Sequence, residues 1–394
     1  MKNLSFCVFF TWVICGWTQG VAYALGDLGA PILVQGMTKS KVGKMRTKRG
    51  PPPISIAYNN ASAMQRDNQG TLHILWVDDG DLLYGKIATG SEFTYRRLKR
   101  GVQRLPVLGV DGTGGVVVVY RTKTGLFGLV SADAGESFGK VTQLSENNVF
   151  APTLRVWSNG TNQKPSGVVA WHSGTKSVDT TVYASNLVKG IFQGQTELGT
   201  DGTESEFVTI GGHKDSSIMV WRDNREGGRK WRLYMSQQDS ANGTWTAAKK
   251  IGEGMDPSVC VTSRGEIHLV FQDRMQVFYR RSPDNGKTWL DAVRLGYGLF
   301  AKVSCNDLGG VGIAWEEMRY RTKADVGTLA KNNKAKTVGL ATSTDHGRNI
   351  STIVPFDRKS LIFAQVEVSR QAQTLDLLFV DEADMTLRVH STDL

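Results

Sequence analysis

The sequence predicts an all-β chain folded as a seven-bladed propeller of four-stranded antiparallel blades, with six blades the alternative. Three observations carry this. An apolar segment with an aromatic near its end recurs seven times, in residues 71–79, 115–121, 167–172, 217–223, 266–273, 311–317 and 375–382, roughly 45 to 60 residues apart. A Ser-x-Asp-x-Gly turn, complete or altered, follows a strand pair in four repeats. The 394 residues include 44 Gly and only 10 Pro, which suits many short strands joined by turns. The recurring segments are apolar almost without interruption, so both of their faces are expected to be covered, as in sheets stacked on their neighbours.

In chain order, Met1 to Ala24 holds one charge, Lys2, an apolar run from Leu4 to Trp17, and Ala22-Tyr23-Ala24 as a cleavage signal. This predicts a signal peptide over 1–24, a single propeller domain over 25–394, and a secreted or periplasmic protein. A membrane anchor is the alternative for the same run, and no later stretch is long and apolar enough to span. Ala30 to Gly36 resembles the fourth strands elsewhere and is expected to complete the last blade and close the ring. After the leader only Cys260 and Cys305 remain, at matching places in adjacent repeats. They form a disulfide in an oxidising compartment or remain two buried thiols. Four glycosylation sequons begin at Asn60, Asn159, Asn242 and Asn349.

The turn Ser282-Pro283-Asp284-Asn285-Gly286-Lys287-Thr288-Trp289 sits between two strand-like runs. Its Asp can accept backbone N–H bonds within the turn, and its Gly can take positive φ. Ser131 to Phe138 is a clear copy, Ser236 to Trp245 is a stretched one, and Ser343 to Gly347 lacks the aromatic. This motif resembles the Asp-box, or BNR repeat, of the sialidase superfamily. Asp-boxes are turn devices and carry no chemistry, so function is sought on the opposite face, where each second strand ends. That face collects Asp78, Arg121, His172, Arg222, Asp223, Arg225, Arg274, Glu316 and Arg319, among others.

The resemblance implies an exo-α-sialidase-type hydrolysis, in which a Tyr nucleophile is activated by a Glu, an Asp serves as acid/base, and arginines hold the substrate carboxylate. Placed by topology, these are Tyr297, Glu206 and Asp67 as catalytic residues, and Arg49, Arg222, Arg274 and Arg319 as substrate-binding residues. Three departures stand against it: Arg49-Gly50-Pro51-Pro52 lacks the family's Phe/Tyr-Arg-Ile-Pro motif, Tyr297 in Gly296-Tyr297-Gly298 has no sequence neighbourhood that marks a nucleophile, and the family's catalytic propellers have six blades. A non-catalytic carbohydrate- or protein-binding propeller is the alternative, presenting repeats such as Trp221-Arg222-Asp223-Asn224-Arg225. A lyase acting on uronic-acid glycans, using His172 and Tyr183, is a third.

The net charge is +10, with basic stretches at 38–50 and 321–336, which predicts an anionic glycan partner. No nucleic-acid module accompanies the charge. The sequence has no metal-ligand or phosphate-loop motif, so neither metal nor cofactor is expected.

Overall fold

The computed structural model describes residues 32–35, 54–318 and 336–394, apart from short stretches at 89, 147–148, 161–162, 175–179, 200–203, 214–215, 229, 240–242, 361–363, 382 and 384–385. The expected leader, Arg49, Arg319, the basic stretch 38–50 and residues 321–335 lie outside the described residues.

The repeated apolar segments form the second strand of each unit, and the chain is a β-propeller of four-stranded antiparallel blades. The strands fall into six hydrogen-bonded sheets. The first spans 54–99, the second 107–145, the third 149–197 and the fourth 205–253. The fifth, over 255–360, has seven strands, and the sixth pairs 365–393 with Ile32–Gln35. Seven separate blades were expected from the repeats, whereas six sheets are present. The fifth and sixth repeats are joined by one unbroken strand, Val293–Cys305. Its first part pairs with Gln276–Ser282 and its second with Val311–Glu317. Gly296-Tyr297-Gly298 lets the strand run on without a turn. A Cβ at Gly298 would lie 2.5 Å from the Trp315 ring, so only glycine lets the backbone pass beneath that indole. At the other seam Ile32–Gln35 pairs antiparallel with Leu387–Asp393, joining the two ends of the described chain in one sheet.

The apolar strands pack sheet on sheet. Leu75, Val77 and Leu82 of the first sheet meet Leu108, Val116 and Val118 of the second in one buried cluster. Val116 to Val119 are all fully buried, each stabilising by roughly 1.5–3 kcal/mol relative to an exposed side chain.

The Ser-x-Asp-x-Gly turns at 131, 282 and 343 share one set of hydrogen bonds. In the second of these the Ser282 hydroxyl accepts from the Gly286 N–H at 2.8 Å, and the Asp284 carboxylate accepts from the N–H and hydroxyl of Thr288 at 2.8 and 2.7 Å. Ser131 to Ser137 and Ser343 to Asn349 repeat this. The stretched segment from Ser236 closes differently: Ser236 Oγ donates to the Thr246 carbonyl and Gln238 bridges to Trp245. Its two extra residues move the Asp out of register.

The innermost strand of the first sheet is interrupted. Between Ile54–Ser55 and Met64–Arg66 the chain crosses the propeller axis. Asn59 Nδ2 donates to the carbonyls of Asp256 and Ala301 at 3.0 and 3.1 Å, and Asn60 Nδ2 to those of Ala151 and Val208 at 2.9 and 2.6 Å. Those carbonyls are available because four inner strands carry bulges, where Ala151, Phe207, Asp256 and Phe300 take positive φ. The crossing divides the axis into two mouths. It also removes Asn60 as a glycosylation site, since that residue is 1% exposed.

Candidate functional site at the axial mouth

The mouth away from the Ser-x-Asp-x-Gly turns is built on the bulges. Glu206 and Arg222 stand opposite each other at the ends of the paired strands Ser205–His213 and Ser216–Asp223. Arg222 Nη2 donates to Glu206 Oε2 at 2.5 Å and Nη1 to Asp256 Oδ1 at 2.8 Å. The rings of Phe207 and Trp231 lie 4.1 and 4.5 Å from the guanidinium carbon. Gln272 Nε2 donates to the other Asp256 oxygen at 2.5 Å. Burial pushes the Asp256 carboxyl above its ordinary value, Arg222 pulls it back, and Glu206 adds to the rise.

Above the Asn59–Asn60 crossing lie three partly exposed rings. Tyr58 stands with its centroid 5.3 Å from Phe207 and 5.1 Å from Phe300. Burial, reinforced by Asp256, raises the Tyr58 phenol well above its usual value. To one side His172 Nδ1 accepts from the Phe207 N–H at 3.2 Å, which places the ring proton on Nε2. Burial, with Arg222 and Arg121 nearby, pulls His172 down to about 3. Its ring stacks on Phe150, which also carries Arg121 at 5.2 Å.

The residues drawn from the sequence do not all meet here. Glu206 and Arg222 do, but as partners of each other: the guanidinium fork is engaged by two carboxylates and flanked by two rings. Asp67 does not. It sits in the turn between Met64–Arg66 and Leu72–Asp78, on the face of the Ser-x-Asp-x-Gly turns. Six residue steps of strand, about 20 Å, separate its end from the Asp78 end. Asp67 accepts from the N–H groups of Gln69 and Thr71 and bonds His73 Nε2 at 3.3 Å. His73 Nδ1 then meets the Tyr84 hydroxyl at 2.6 Å, beside the Ala134 carbonyl of the next sheet's turn. Burial pushes Asp67 up, but His73 and the turn N–H groups outweigh it and hold the carboxyl below its usual value. The role is structural, and His268, Tyr279 and the Gly347 carbonyl repeat part of it in the fifth sheet.

Tyr297 lies where Val293–Cys305 passes from one strand pairing to the next. It is 46% exposed, with Arg294 over its ring. Arg274 is exposed on a two-residue turn with Met275, both at positive φ. Arg49 and Arg319 lie outside the described residues. The lyase pairing of His172 with Tyr183 is also not assembled. Tyr183 pairs with Trp171 across the strands, so it shares that residue's face, and His172 faces the opposite way. Arg225, expected as a presented group, is folded back: Asp223 accepts from its Nε and Nη2 at 2.9 and 2.6 Å, and also from Ser205 and Trp221.

Tyr58, Phe207, Asp256 and Phe300 are site residues that no motif in the sequence marks. The available signal was Pro152 and Pro257 within inner strands, since a proline inside a central strand marks a bulge. Among the described residues no group of three or more His, Cys, Asp or Glu side chains is placed to hold a metal ion.

No protein-family model matches the sequence, and no curated protein matches it. Solved structures do resemble the fold. The polysaccharide lyase Uly1 superposes with a TM-score of 0.57 at 9% identity, covering 92% of this chain and 97% of that one. A Penicillium chrysogenum α-L-arabinanase complexed with arabinobiose gives 0.50 at 9% identity, with the same coverage. A Trypanosoma rangeli sialidase is a looser likeness, with a TM-score of 0.46 at 14% identity over 76% of this chain and 56% of that one. The first two likenesses show a β-propeller fold.

Proposed function

We propose that the protein is an exported carbohydrate-binding propeller that receives an anionic glycan at the Tyr58–Phe207–Phe300 mouth. The observation that carries this is the floor of three partly exposed rings beside a fixed Glu206–Arg222–Asp256 network. Apolar ring faces beside a few pre-positioned polar groups form the usual lining of a small-molecule site. The anionic preference is supported by the net charge of +10 and the basic stretches at 38–50 and 321–336. Export is supported by the Met1–Ala24 segment and by the Cys260–Cys305 disulfide. The Ser-x-Asp-x-Gly turns act as Asp-boxes.

Glycoside hydrolysis is the second reading, and one observation favours it. Glu206 and Asp256 are held at opposite ends of one guanidinium. Two carboxyl groups facing one site are what glycoside hydrolysis commonly uses. The sialidase assignment through Asp67 and Tyr297 is less well supported, because Asp67 serves a turn on the far face.

An array of anionic and neutral glycans, probed with purified protein and Phe207→Ala, tests the binding reading. Retention of acidic glycans, weakened at least tenfold by Phe207→Ala, is expected. Failure to retain any glycan would overturn it. Release of a fluorogenic aglycone, abolished by Glu206→Gln and Asp256→Asn, would move the protein to the hydrolase reading.

A further inference from the structure

Successive repeats give the mouth one side chain each from the same place. The penultimate residues of five consecutive second strands are Arg121, His172, Arg222, Gln272 and Glu316. Arg222 and Gln272 are engaged by the protein itself, the first by Glu206 and Asp256, the second by Asp256 and the Phe300 N–H. Arg121 is not. Its guanidinium donates once, from Nη2 to the neutral Gln103 Oε1 at 2.9 Å, and lies over the Phe150 ring. Among the described residues no carboxylate pairs with it, and its Nε and Nη1 are neither bonded nor closed off from solvent. Burial works against this charge and lowers the Arg121 pKa from its ordinary value. An arginine stays protonated even so, which leaves a partly buried cation without a counter-charge. His172 stacks on the same Phe150 ring and is 4% exposed, yet its Nε2–H is open to solvent and has no acceptor among the described residues. The carboxylates gather elsewhere: Glu206 and Asp256 flank Arg222, and Asp256 and Glu316 both act on the Tyr58 phenol. The mouth is therefore polarised, with its open cation beside Phe150 and its carboxylates around Tyr58 and Phe207.

Resting on the glycan-binding reading of this mouth, we infer that Arg121 receives the acidic group of the glycan, a carboxylate or a sulfate ester, while the His172 Nε2–H donates to a ligand oxygen nearby. The guanidinium carries five N–H donors, of which Gln103 takes one. One two-donor edge of the fork stays open whichever Nη2 hydrogen Gln103 occupies. An oxyanion can accept both bonds of that edge and supplies the missing counter-charge. Arg222, expected from the sequence to hold the acidic group, is already answered by two carboxylates.

An array of matched glycan pairs tests the assignment: galacturonan oligosaccharides beside their methyl esters, and sulfated galactan oligosaccharides beside the desulfated ones. The parent protein should retain the acidic member of a pair at least tenfold better than the neutral one. Arg121→Met should bring that ratio close to one while neutral binding persists, and Arg121→Lys should keep part of it. Phe207→Ala should weaken both members alike. The pair that shows the preference tells carboxylate from sulfate. An acidic preference that persists in Arg121→Met overturns the inference and leaves the glycan reading standing. Equal retention of both members by the parent also overturns it. Retention of no glycan overturns the reading, and the inference falls with it. Thermal melting supplies a control that needs no ligand. With no carboxylate to orphan, Arg121→Met should melt within about 4 °C of the parent. A larger drop would assign Arg121 to holding the fold and overturn the inference.

Discussion

At the scale of single residues, Arg222 organises the mouth. It answers two carboxylates that would otherwise lie close together without a counter-charge, and two rings cover its faces. Removing one member of such a network leaves the others unpaired, which costs roughly 3 kcal/mol when the group is buried. Arg222→Met is therefore expected to lower stability by about that amount in chemical denaturation, more than Arg225→Met would. Histidine titration sets the acid limit. His172 and His268 are held near 3 and 4, mainly by burial, against an ordinary value of 6.5. Below about 6.5 the unfolded chain takes up protons that the native chain refuses. Their contribution to stability is thus complete above 6.5 and is lost as pH falls toward 4 and then 3. Melting temperature should decline from pH 7 to 4.5, and His268→Gln should flatten part of that decline. A pH-independent melting temperature over this range would contradict the assignment.

At the scale of elements, the turn between third and fourth strands is the best-defined local structure. Gly347 takes φ of +68°, and a Cβ there would fall 1.9 Å from the Tyr279 hydroxyl; Gly135 has the same relation to Tyr84 at 2.0 Å. Gly347→Ala and Gly135→Ala should each destabilise by about 1–3 kcal/mol, combining backbone strain with a steric clash. Gly90 also has positive φ but meets nothing within 4 Å, so Gly90→Ala should carry the strain alone and lose less. These turns were legible in the sequence because their chemistry is local: Ser, Asp and Gly bond within eight residues. The apolar second strands were legible for a similar reason, since their character is continuous. Asp67 could not be read this way, and of the four bulges only those beside Pro152 and Pro257 carried a local mark. The face on which Asp67 lies follows from strand direction, and Phe207 and Asp256 reach the axis only through register shifts that pairing creates.

At the scale of the whole molecule, long-range closures hold the ring. The Cys260–Cys305 bond joins the inner strands of two adjacent repeats, with Cα atoms 5.9 Å apart and a sequence separation of 45. A loop of that length gives up to about 4 kcal/mol by restricting the unfolded chain. Cys305→Ser, or reduction, should lower the denaturation midpoint accordingly. The Asn59–Asn60 crossing ties the third, fourth and fifth sheets to the first, and Gln365 Nε2 adds the sixth through the carbonyls of Ala57 and Tyr58. Nothing in the local sequence announced this crossing, because every partner of Asn59 and Asn60 is more than ninety residues away. Blade count was obscured for the opposite reason: the repeats are distinct in sequence, yet Val293–Cys305 leaves no break between two of them.

The crossing also separates the two mouths, so glycan binding at the Tyr58–Phe207–Phe300 floor is a claim about place as well as chemistry. The most direct measurement is a crystal structure of the protein with an array-positive acidic glycan. A sugar ring against Phe207 or Tyr58, with hydroxyls on Glu206, is predicted. A glycan bound elsewhere while these rings stay uncovered would contradict the account.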